Sequence, residues 1–153
     1  MGTTPFGFAF AGDTLVVSEA ASQSTSSYAL DRDGGVAPIT GAASTHQAAP
    51  CWAAATPNGR YAYVVNAGAG SVSGYSVAHD GSLTELNADG RTGVTGTGSH
   101  PTDAGFSANG RYLYVLSAGI HGITAFQVAS DGSLTAIPGA TGLPTTAVGL
   151  VAR

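Results

Sequence analysis

Thr56–Gly68 reads TPNGRYAYVVNAG, and Ser107–Gly119, fifty-one residues further on, reads SANGRYLYVLSAG. Each copy sets an Asn-Gly pair, Asn58-Gly59 or Asn109-Gly110, ahead of an apolar run. An Asn-Gly pair before such a run is a turn feeding a β-strand. The runs predict strands over Tyr61–Asn66 and Tyr112–Ser117, with a third over Thr14–Ser18 after the shortened turn AGDT, Ala11–Thr14. They are apolar on both faces, so each strand is covered from two sides.

Working outward, the same order recurs on both flanks. Downstream, YALDRDGGVAPI (Tyr28–Ile39), YSVAHDGSLTEL (Tyr75–Leu86) and FQVASDGSLTAI (Phe126–Ile137) each carry a strand, an Asp-Gly turn and a second strand. Asp-Gly between apolar runs is a hairpin signal, because the turn needs positive φ. Upstream, each unit opens at a proline, Pro5, Pro50 or Pro101, and a fourth opening follows at Pro144, where PTTAVGLVA echoes PTDAGFSAN. The spacings of 45, 51 and 43 residues, with four strands apiece, are those of propeller blades. Blades stack because none buries both faces alone.

The fold class read from this pattern is all-β: a β-propeller of four-stranded antiparallel blades, about three blades plus one extra inner strand. The expected blades are 5–49, 50–100 and 101–143, and the expected closing strand is 144–153, centred on Thr146–Ala152. A closed ring needs roughly four to eight blades. The chain therefore reads as the C-terminal part of a longer propeller, or as one whose copies assemble into a ring.

Composition narrows the function classes. Hydrophobic residues make up 43% of the 153 positions and charged residues only 9%, against about 25% in typical globular domains. All five cations are arginine and the net charge is −4, so there is no basic patch for nucleic acid. No run approaches the ~18 apolar residues of a membrane helix. MGTTPFGFAF lacks the charged start of a signal peptide, and the compartment stays open between cytoplasm and secretion through an upstream signal. Cys51 is the single cysteine and reads as a small buried hydrophobe. The four His are scattered, which argues against a metal site. Neither metal nor cofactor is expected. GRTGVTGTGS is glycine-rich but lacks a P-loop lysine, and reads as a flexible connection.

NGRYAYVVNAGAGSVSGYSVAHDGSLTEL and HPTDAGFSANGRYLYVLSAGIHGITAFQVASDGSLTAIPG resemble blades of the lactonase-type seven-bladed β-propellers, a family with 6-phosphogluconolactonases and carboxymuconate cyclases among its members. The resemblance covers nearly the whole chain and corresponds to roughly the last three of seven blades. It implies hydrolysis or formation of a lactone of a small sugar acid or carboxylated acid, with a small molecule as substrate. The alternative is a non-catalytic propeller used for binding or scaffolding, or an inactive fragment.

The resemblance implies a site of Arg, His and Glu side chains where second strands end and inner strands begin. A lactone carbonyl wants cationic donors for its oxyanion, and an acid or His to move a proton. Glu19, in VVSEA, matches the family's Glu after a second strand; the corresponding positions are read as Ala67 and Ala118. The family's arginine after the blade-opening proline is replaced here by Phe6, Cys51, Thr102 and Thr145. Glu19 and His100 are thus the catalytic candidates. Arg91 and His46, in outer-to-inner connections, and Asp103, at the start of an inner strand, are the substrate-binding candidates. Each has a structural alternative: a solvated loop position for Glu19, and a backbone hydrogen bond for Asp103. Trp52 reads as core rather than as a substrate platform. Arg60 and Arg111 read as partners in turn or cross-blade hydrogen bonds, and the Tyr61/Tyr63 and Tyr112/Tyr114 pairs as packing between blades.

Overall fold

The computed structural model of the chain describes residues 1–152. Three antiparallel sheets follow one another along the chain. The first has strand order β1 (Pro5–Ala11), β2 (Thr14–Glu19), β3 (Ser24–Leu30) and β4 (Val36–Ser44). The second is β5 (Pro50–Ala55), β6 (Tyr61–Asn66), β7 (Ser71–Val77) and β8 (Leu83–Glu85), with β9 (Gly93–Val94) also paired to β7. The third is β10 (Pro101–Phe106), β11 (Tyr112–Ser117), β12 (Gly122–Val128) and β13 (Leu134–Thr141). One 3-10 turn, Ala118–Ile120, follows β11. The architecture is all-β, three propeller blades, with β5 packed between β1 and β10 at the inner edge. No helix of the described residues is long and apolar enough to cross a membrane.

The turns are one residue longer than a two-residue hairpin. Gly34, Gly81 and Gly132 lie at φ 82°, 84° and 85°, but the aspartates before them do not enter the left-handed region. The amides of Gly81 and Gly132 donate to the carbonyls of Ala78 and Ala129, three residues back. This is the three-residue loop, a turn closed by one left-handed glycine. Asp80 and Asp131 act through their side chains instead, each accepting from the N–H of the serine two residues on, Ser82 or Ser133, at 3.0 Å. Asn58 and Asn109 do the same for Arg60 and Arg111, at 3.1 and 3.0 Å. Only the backbone of these arginines is held this way. Of the expected turn or cross-blade hydrogen bonds the turn ones form, while the Arg60 guanidinium lies 5.6 Å from the Tyr61 ring centroid in a cation–π contact.

The core is the pair of faces between blades. Tyr63, Val65 and Val72 of the second blade meet Leu113, Val115 and Phe126 of the third. Ala53, Val64 and Tyr75 on its other side meet Ala9 and Ala43 of the first. The tyrosines also tie blades by their tips: Tyr63 donates to the Gly132 carbonyl at 2.7 Å and Tyr75 to that of Ser44 at 3.0 Å. Burial pushes both phenols up, so they stay protonated donors.

Two faces lack a neighbouring blade. On the first blade, Phe6, Phe8 and Phe10 remain 60%, 59% and 54% exposed along one side of β1. On the third, Tyr112 and Tyr114 are only half-buried, although they repeat Tyr61 and Tyr63. The expected closing strand does not form: residues 144–152 contain no strand, and Arg153 lies outside the described residues. An inner strand needs a second strand to take its hydrogen bonds, and none of the described residues offers one here. The tail instead runs beside β10, where the Leu150 N–H donates to Asp103 Oδ2 at 2.6 Å.

Candidate functional site

The blade-opening prolines set the geometry of the site. The residue before each lies in left-handed conformation: Thr4 at φ 60°, Ala49 at 53° and His100 at 44°. That conformation costs an L-residue about 1–2 kcal/mol. It is offset by turning each carbonyl onto the amide that follows the second strand. Thr4, Ala49 and His100 accept from Ala20, Ala67 and Ala118 at 2.9, 2.8 and 3.2 Å. Because all three blades share the device, His100 owes its backbone to the architecture. Its side chain is exposed and rests against Gly119.

Phe6, Cys51 and Thr102, placed by this closure, meet Thr145 of the tail at one cavity of about 410 Å³. Trp52, Asp103, Ala118 and the tail residues Ala147–Gly149 complete its wall. Trp52 is 36% exposed and lines the cavity rather than the core. Among the described residues Asp103 is the wall's one charged side chain, and it is 9% exposed. Its Oδ1 accepts from the Ala104 N–H at 2.7 Å and its Oδ2 from that of Leu150, so it holds the tail in place. Burial pushes the Cys51 thiol up, which keeps it neutral and a poor nucleophile.

Glu19 stands apart from that cavity. It is the last residue of β2, not a loop residue, and is 2% exposed. Its Oε2 accepts from Ser24 Oγ at 2.8 Å, and Gly2 lies so close that any side chain there would collide with the carboxylate. Among the described residues no cation lies at ion-pair distance from it. Pairing corrects the expected correspondence by one residue. Pro5 faces Glu19, Pro50 faces Asn66 and Pro101 faces Ser117. Asn66 and Ser117, not Ala67 and Ala118, therefore share its position. Each bonds the next strand, Asn66 to Ser71 and Ser73 at 3.1 and 2.9 Å, and Ser117 to Thr124 at 2.9 Å.

His46 and Arg91 are joined through Gln47, which the sequence reading had not singled out. Gln47 Nε2 donates to the His46 carbonyl at 2.9 Å, and its Oε1 accepts from Arg91 Nε at 3.1 Å. His46 Nε2 is 3.5 Å from Glu85 Oε2. Burial raises the Glu85 carboxyl above its ordinary value, and His46 draws it partly back. The candidates thus occupy three places: Glu19 beneath Gly2, His46 with Arg91 over the second blade, and Asp103 in the cavity with His100 close by in sequence. Among the described residues no three His, Cys, Asp or Glu side chains gather to hold a metal. Phe6, Cys51, Thr102 and Thr145 stand together in the sequence as positions lacking the family's arginine, and their shared place after a proline was the signal that they share a wall.

The same arrangement of blades occurs in solved structures. The periplasmic gluconolactonase of Pseudomonas aeruginosa superposes with a TM-score of 0.77 at 22% identity, over 97% of this chain and 45% of that one. A Bacteroides uniformis protein provisionally named 6-phosphogluconolactonase gives 0.75 at 22% identity, over 92% and 42%. A functionally unknown protein of Desulfotomaculum acetoxidans gives 0.77 at 19%, over 94% and 44%. At these identities the likeness is one of fold, and the chain spans less than half the length of each. No curated protein matches it. The model of the family described as lactonase, 7-bladed β-propeller, matches residues 4–147. With that match over almost the whole repeat, the chain belongs to the lactonase family of seven-bladed β-propellers.

Proposed function

We propose that this chain forms part of the binding wall of a propeller that hydrolyses or forms a lactone of a small sugar acid or carboxylated acid. The observation carrying the reading is the convergence of Phe6, Cys51, Thr102 and Thr145 on one cavity, in a chain of the lactonase family. A cyclic ester seated there meets hydroxyl donors on Thr102 and Thr145. In hydrolysis, water adds to its carbonyl carbon, the ring C–O bond breaks and a hydroxy acid leaves. Glu19 is the proton-transfer candidate of this reading and His100 a substrate contact, with Asp103, His46 and Arg91 as binding candidates; of the five, only Asp103 lines the cavity. Glu19 serves only with Met1–Thr4 lifted off it. Cationic oxyanion donors come from the blades that close the ring, whether they belong to a longer chain or to a second copy.

A non-catalytic binding module is the second reading. It is favoured by a cavity wall with no Arg, Lys or His among the described residues, and by the burial of Glu19. Acid release from glucono-δ-lactone and 6-phosphogluconolactone separates the two. Turnover that falls by about a hundredfold or more in Glu19→Gln, with circular dichroism unchanged, supports the lactonase reading. No acid release from either lactone leaves the binding module.

A further inference from the structure

The cavity wall is unlike what a phosphorylated or carboxylated ligand requires. Phe6 and Trp52 present aromatic surface and Val148 aliphatic surface, while Thr102 and Thr145 add hydroxyls. The one charge on the wall among the described residues is the Asp103 carboxylate, in a chain of net charge −4. Among the described residues of this chain, an anion entering this space meets a like charge and no cation to replace its lost hydration. A volume of about 410 Å³ admits a bicyclic molecule. Flat rings stack on aromatic side chains, and one ester oxygen needs only one hydroxyl donor.

We infer that the cavity selects uncharged aromatic lactones or esters and discriminates against phosphorylated sugar-acid ligands, through the aromatic pair Phe6 and Trp52 and the uncharged position Thr102. The inference rests on the lactone reading of the same cavity and moves its substrate class from sugar-acid lactones to uncharged aromatic ones. Thr102 is the specificity-determining position. It is exposed, it follows the proline of the innermost strand β10, and a long cation there reaches into the cavity without displacing core.

Trp52 is the chain's only tryptophan and stands on the wall, so its fluorescence reports occupancy without any turnover. Dihydrocoumarin and 6-phosphogluconate are titrated against the purified chain, against Thr102→Arg, and against Thr102→Gln as an uncharged control of similar length. Dihydrocoumarin is expected to give a saturable change in Trp52 emission with affinity about tenfold or more above that for 6-phosphogluconate. Thr102→Arg is expected to cut that ratio about tenfold by adding a charge-assisted donor, and Thr102→Gln, which removes the hydroxyl but adds no charge, to cut it less. Equal or tighter binding of 6-phosphogluconate by the parent chain, or no Trp52 response to dihydrocoumarin, overturns the inference. The two readings fail separately. Sugar-lactone turnover with a silent Trp52 removes this inference and leaves the lactonase reading. A saturable Trp52 response without turnover supports the inference and removes catalysis.

Discussion

At the scale of single residues, backbone conformation governs the site more than side-chain chemistry does. Thr4, Ala49 and His100 hold left-handed backbone immediately before proline, where steric clash already narrows the choices. Their carbonyls close the pairing of inner and second strands, so their torsion fixes where the post-proline side chains point. Ala49 isolates this effect, since its side chain is a single methyl. Ala49→Gly removes the Cβ penalty and gives back part of the gain as chain entropy. We expect a net stabilisation of about 0.5–1 kcal/mol, read as a raised denaturant midpoint at unchanged slope. An unchanged or lowered midpoint would mean that the conformation carries no strain.

At the scale of elements, the blade interfaces depend on a few tyrosines that combine buried ring area with a fixed hydrogen bond. Tyr63 is fully buried and donates to Gly132 across the interface, whereas Tyr61 makes its equivalent bond to Ser130 in a partly open position. Tyr63→Phe leaves a buried carbonyl without its donor, at a cost of about 1–3 kcal/mol. Tyr61→Phe leaves one that water can reach and costs less, about 0.5–1.5 kcal/mol. Tyr63→Ala adds the cavity and costs about 3–5 kcal/mol. Chemical denaturation of the three variants gives the order, and equal costs for the two phenylalanines would refute the difference in burial. Outer strands contribute less regularity. In the second blade the outer strand breaks into β8 and β9, and the intervening loop carries Arg91 to Gln47.

At the scale of the whole molecule, three blades leave two faces that the chain cannot cover. Phe6, Phe8 and Phe10 form a contiguous exposed aromatic edge, with Phe8 and Phe10 in edge-to-face contact at 6.1 Å. Apolar edges of this kind mark contact surfaces. We expect the purified chain to scatter light with a mass above the 15.0 kDa of one copy. The combined change Phe8→Ser and Phe10→Ser should return it to a monomer without altering its β-type circular dichroism. A parent chain that is already monomeric would mean that water alone covers this face.

Much of this organisation was legible beforehand, because it is local and repeated. Runs apolar on both faces, glycines after Asn and Asp, and prolines at recurring spacing determined the strands Tyr61–Asn66 and Tyr112–Ser117, the four-stranded blades and their family. Each of those signals acts within a few residues, so a linear reading captures it. Tertiary structure decided what depends on residues tens of positions apart. Pairing register placed Asn66 and Ser117, rather than their neighbours, level with Glu19. The presence or absence of an adjoining blade decided that Tyr63 is buried while Tyr114, its repeat, stays half-open. The lack of a partner strand left residues 144–152 as an irregular tail held by Asp103. The meeting of four post-proline residues around one cavity follows from stacking the blades, since burial and enclosure are set by the neighbours a segment acquires.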